Sequence, residues 1–128
     1  MSYTIDRLLT GVRIDDAEQR VRAALKEKGF GVLTEIDVKK TMKEKIDVDI
    51  DDYRILGACN PNMAHQALNI EARIGAMLPC NVILRSLDDG TEISAVDPVA
   101  SMAAVNNDEL HVVAGQVREM LREAVEIA

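Results

Sequence analysis

The sequence predicts a single α+β domain over residues 1–128, with a mixed sheet of about five strands and helices packed on one face. Three observations predict it. Residues 53–84 read as strand, helix, strand; Asp88-Asp89-Gly90 sits between two β-rich runs as a hairpin turn does; and the chain closes on a long amphipathic stripe. The hairpin makes the last two strands antiparallel, while a helix between two strands allows parallel neighbours, hence a mixed sheet.

Taken in order, Tyr3 to Gly11 is a first strand, with Tyr3, Ile5 and Leu9 on one side. A helix follows. Asp15 serves as N-cap with Glu18 three residues on, Ala17, Val21, Ala24 and Leu25 form its apolar face, and Lys28-Gly29 stops it. Phe30, Val32, Thr34, Ile36 and Val38 then alternate with Gly31, Leu33, Glu35 and Asp37, the period of a strand with one face in the core. Whether this strand lies beside the first is not decided by the pattern. Lys39 to Lys45 is a short basic helix with a solvated lysine face.

Tyr53 to Cys59 is short, apolar and bounded by acids and by Asn60-Pro61, as a buried strand is. Asn60 is a good N-cap, and Pro61 stands at the first helical position, where a missing N–H costs nothing. Met63, Ala67, Ile70 and Ile74 continue at helical spacing to Pro79, and Cys80 to Leu87 returns as a strand. After the hairpin, Thr91 to Val96 ends at Asp97-Pro98. Asn106 with Glu109 caps the last helix, whose Leu110, Val113, Ala114, Val117, Met120, Leu121 and Ala124 make a core-facing stripe.

Composition removes several function classes. Aromatic residues make up 2% of the chain, so ring stacking on bases is nearly unavailable, and a formal net charge of −7 opposes phosphate backbones. Nucleic acid is therefore not an expected partner. No apolar run reaches the roughly 18 residues of a membrane span, and the start lacks the basic and apolar regions of a secretory signal. A cytoplasmic location with two free thiols follows as the expectation. The run Asp47-Val48-Asp49-Ile50-Asp51-Asp52 opens like a calcium loop, but Asp52 stands where the turn needs Gly and Ala58 where it needs Glu. No metal site is expected in this run.

Chemistry concentrates between Cys59 and Asn81. Cys59 ends a strand beside the N–H groups of a helix start, where partial positive charge favours anions and lowers a thiol pKa. The plainer reading makes it a small buried hydrophobe. Cys59, Asn60, Pro61, Cys80 and Asn81 are the candidate ligand-binding residues, and Cys59, Cys80 and His65 the candidates for thiol chemistry, with His65 or Asn60 assisting. His111, at the start of the last helix, is expected in solvent. With parallel strands and one continuous helix of about sixteen residues, roughly 24 Å long, the two thiols would lie near opposite ends of the sheet. A disulfide needs Cα atoms within about 7 Å, so an intrachain bond is disfavoured unless the helix breaks.

The run Ile55-Leu56-Gly57-Ala58-Cys59-Asn60-Pro61, with Ala64, Ala67-Leu68, Ile74-Gly75 and Leu78-Pro79-Cys80-Asn81-Val82 at this spacing, resembles the signature of the family called domain of unknown function 302. The likeness extends to Ala95-Val96-Asp97-Pro98 and the C-terminal helix. The resemblance implies a compact α+β homodimer without an established activity. It departs at Glu71-Ala72-Arg73, where many relatives resemble an Asp-Pro; without that proline the central helix is expected to run on. The functional expectation is a homodimeric ligand-binding or accessory domain, with a small-molecule, anion or metal site at the Cys59-Asn60-Pro61 helix start, against a thiol enzyme or sulfur carrier using Cys59 or Cys80, or a purely structural dimerisation module. Neither cofactor nor substrate is identified by the sequence.

Overall fold

The computed structural model describes residues 2–128. The strands are β1 (Thr4–Thr10), β2 (Gly31–Asp37), β3 (Tyr53–Cys59), β4 (Cys80–Leu87) and β5 (Gly90–Val96); the helices are α1 (Ile14–Glu27), α2 (Val38–Ile46), α3 (Pro61–Ile70), α4 (Pro98–Ser101) and α5 (Asp108–Ile127). A 3₁₀ turn, Ile74–Met77, follows α3. The five strands form one open sheet in the order β1-β5-β4-β3-β2. This is an α+β fold with α1 and α5 packed on one face.

Every neighbouring pair is antiparallel, which corrects the expected mixed sheet. The cause lies in the central helix. α3 ends at Ile70 without any proline, Glu71 turns to extended backbone, and the chain doubles back through the 3₁₀ turn. β4 therefore starts where β3 ends and runs beside it in the opposite direction. Asn107 anchors the break, since its Nδ2 donates to the Ile70 carbonyl at the end of α3 (3.4 Å) while its Oδ1 accepts the Leu110 N–H at the start of α5 (3.1 Å). One amide thus satisfies orphan groups of two helix ends. It also makes Asn107 the N-cap expected at Asn106.

Other caps and edges differ for equally local reasons. α1 begins at Ile14 and has no side-chain cap; the Asp15 carboxylate instead accepts from Arg54 on β3 (2.7 Å). Arg54 also reaches Glu18, Glu18 accepts from Arg22, and Arg22 reaches Glu35 on β2, a charge ladder that ties α1 to two strands. β1 and β2 are the two edges of the sheet, not neighbours. A bulge between Val32 and Thr34 shifts the facing of β2, so its expected core face is mostly exposed and Leu33 stands 68% in solvent.

The core has two parts. The larger packs Leu56, Ala58, Val82, Leu84, Ile93 and Ala95 of the sheet against Ala17, Val21 and Leu25 of α1 and Leu121, Ala124 and Val125 of α5. The smaller joins Ala67 of α3, Ile74 and Met102 to Leu110, Val113 and Ala114 of α5. Each fully buried Leu or Ile contributes roughly 1.5–3 kcal/mol. The α5 stripe is core, as its periodicity predicts.

Arg7 closes the far end. Its Nη1 donates to the carbonyls of Val125, Glu126 and Ala128, placing a cation on the negative end of α5. Arg7→Met is expected to lower stability by about 1 kcal/mol. Hydrogen exchange should speed up in the last turn of α5 and not in α1; unchanged exchange there would contradict this role.

Candidate functional site

β3 and β4 are held in a register that pairs Ala58 with Cys80. Cys59 is the next residue along β3, so the break in α3 brings together two thiols expected at opposite ends of the sheet. Both are free, Cys59 half-buried and Cys80 buried. They line a common cavity of about 30 Å³ at the seam between the two core clusters. Its other walls include Phe30, Asn60 and Met63, then Met102, Val113 and Ala114 from the C-terminal third of the chain. That volume holds about one or two waters, and its lining is almost wholly apolar.

The helix start is nearly spent as an anion site. Pro61 has no N–H, and Asn60 Oδ1 already accepts from the Met63 N–H at 3.2 Å, leaving Asn62 as the remaining first-turn donor. Asn60 is thus the predicted N-cap, and its Nδ2 lies against Gly29, where an added Cβ would stand 3.0 Å away. An apolar group or a soft sulfur-like group suits this space better than an anion.

Burial, with Cys59 adding to it, pushes the Cys80 thiol up from 9.0 to about 11, so it stays protonated at neutral pH. The sign for stability follows: above pH 9 the unfolded chain loses this proton while the folded chain keeps it, so stability falls as pH rises from about 9 to about 11. The loss is expected to be about 2 kcal/mol. Denaturant unfolding of wild type and Cys80→Ala across this range checks it, because the part of the slope owed to Cys80 disappears in the variant; identical slopes would contradict the burial effect.

Other residues singled out by sequence fall elsewhere. His65 is exposed on α3, with Nε2 at 3.4 Å from Asn69 Nδ2, and does not line the cavity. Asn81 and Pro61 are exposed, and His111 stands in solvent at the start of α5. Asp47 and Asp49 pair with Lys43, and Asp52 with Lys39. Among the described residues no cluster of three or more His, Cys, Asp or Glu could hold a metal ion, and no helix is long and apolar enough to cross a membrane. The α4 and α5 walls of the cavity were hidden in the sequence, where Val113 and Ala114 read only as core. A second, open and polar groove of about 580 Å³ lies at the opposite end of β4, between Arg13, Arg54 and the Asp88-Asp89 turn.

The model of the family described as "Domain of unknown function DUF302" matches residues 7–128. The chain belongs to that family. Among solved structures, an uncharacterised conserved DUF302 protein from Bacillus stearothermophilus superposes with a TM-score of 0.91 at 24% identity, covering 98% of each chain. At that identity the likeness establishes the DUF302 fold and nothing about chemistry. No curated protein matches the chain.

Proposed function

We propose that this DUF302 chain is a homodimeric binding or accessory domain that takes up a small, largely apolar ligand at the Cys59-Asn60-Pro61 end of β3. The observation that carries this reading is the apolar cavity at the seam of the two core clusters, with two thiols in its wall. Dense cores rarely leave such space between well-packed clusters. The occupant enters by parting α3 from α5, since the cavity as it stands is smaller than a metabolite.

A thiol enzyme or carrier is the second reading, supported by the shared placement of Cys59 and Cys80. Against it stand the raised Cys80 pKa and the absence of His65 from the cavity wall.

The dimer is assigned to the sheet face turned away from α1 and α5. Ile36, Ile55 and Ile83 are paired across β2, β3 and β4 in one row, alternating with the core-facing Leu56 and Val82. A second copy of the same row offers a self-complementary partner. Ile83→Glu is expected to give a folded monomer in sedimentation, and a persisting dimer would remove this face from the proposal.

Native mass spectrometry of gently purified protein tests the ligand. The expected result is a dimer carrying extra mass that is lost in Ala64→Leu, whose longer side chain fills the cavity that Ala64 lines. Bare polypeptide mass, or extra mass that survives the filling, would overturn the reading.

A further inference from the structure

We propose that Cys59 and Cys80 are a redox pair, joined by a reversible intrachain disulfide when the chain meets a small-molecule disulfide such as oxidised glutathione. The bond would span the cavity wall between the end of β3 and the start of β4. Nothing in the ligand reading is needed for this.

Register supplies the distance. Ala58 faces Cys80, and facing Cα atoms of antiparallel strands are about 4.5–5.5 Å apart. Cys59 lies one residue further along, a step of about 3.3 Å, so its Cα is roughly 5.5–6.5 Å from that of Cys80. Disulfides bridge Cα separations of about 4.4–6.8 Å. Both residues also contribute to the lining of one cavity, and Cys59 is near enough to act on the Cys80 thiol. A regular strand would send neighbouring side chains to opposite faces, but Cys59 is the last residue of β3, where the chain turns into α3.

Exposure orders the steps. Half-buried Cys59 meets the reagent first, and its thiolate attacks one sulfur of the external disulfide, forming a mixed disulfide and releasing the first thiol. Cys80 then gives up its proton and attacks Cys59 Sγ, releasing the second. Two protein thiols are oxidised to one disulfide, one external disulfide is reduced to two thiols, and both protons leave on the released thiols. Because buried Cys80 holds its proton, the second step is the slow one and speeds up as pH rises.

The full-length wild-type chain, incubated with oxidised glutathione, quenched by alkylation and mapped without reductant, tests the proposal. The expected product is a chain lighter by two hydrogens, with the Cys59 and Cys80 peptides joined, restored by dithiothreitol, and with a melting temperature roughly 10 °C higher. Cys80→Ala is expected to stop at a stable glutathione adduct on Cys59, and Cys59→Ser to remain unmodified. A persistent adduct on wild-type Cys59, no modification at all, or linkage between isotopically light and heavy copies would each overturn it. The wild-type map decides alone if either variant fails to fold.

Discussion

Gly57→Val is expected to lower the unfolding free energy by about 3 kcal/mol, the upper end of the usual cost of overpacking. Gly57 sits in the middle of β3, opposite Asn81 on β4 and Thr34 on β2. A Cβ there would come within 2.6 Å of Pro79 Cγ and overlap Thr34 Oγ1. The threonine can rotate away, but the proline ring is held by the start of β4. Valine adds two methyl groups to a space that has no room for one carbon. The strain acts on the turn that delivers Cys80 beside Cys59, so pairing of the thiols should suffer with stability. Gly75→Ala is the matching control, since no atom lies within 4 Å of its added Cβ, and it is expected within about 0.5 kcal/mol of wild type. Urea unfolding checks both, and a near-neutral Gly57→Val would mean that Pro79 does not abut β3.

Leu84→Ala is expected to cost about 3–4 kcal/mol through lost burial and the cavity left behind. Leu84 is fully buried on β4, in the cluster where α1 and α5 meet the sheet. Its cluster joins the central strands to α1 and α5, so collapse around the hole is limited. Leu33→Ala on the exposed edge of β2 is expected to be nearly neutral by contrast. Equal costs for the two leucines would contradict the placement of the core.

These effects follow from a fold whose elements were largely legible in the sequence and whose strand directions were not. Strands, the hairpin at Asp88-Asp89-Gly90, the N-cap Asn60 and the α5 stripe rest on local rules, and the structure places them there. Strand direction depends on where a helix stops. The periodicity of Met63, Ala67, Ile70 and Ile74 holds through the break, because Ile74 is buried in the same cluster as Ala67 although the helix between them has ended. The amide of Asn107, far along the chain, meets that end, and no local pattern announces it. The same break decided the candidate site. Cys59 and Cys80 were legible as residues worth attention, but their proximity required the antiparallel return of β4. The opposite wall of the cavity came from α5, whose Val113 and Ala114 carry no mark beyond being apolar. The β2 bulge was equally silent, since the alternation of Phe30 to Val38 reads smoothly across it.

Cys59 and Cys80 share one cavity because β4 runs antiparallel beside β3. Nuclear Overhauser spectroscopy of isotopically labelled protein tests that directly. Antiparallel pairing predicts strong Hα–Hα cross-peaks between opposed residues of β3 and β4 in the register of Leu56 with Val82 and Ala58 with Cys80 or, in the alternate set, Ile55 with Ile83 and Gly57 with Asn81. It also predicts cross-peaks from the β-protons of both cysteines to Met102, Val113 or Ala114. Absence of cross-strand Hα peaks, or a Cys59 side chain that sees none of the residues contacted by Cys80, would contradict the shared site and the redox pair built on it.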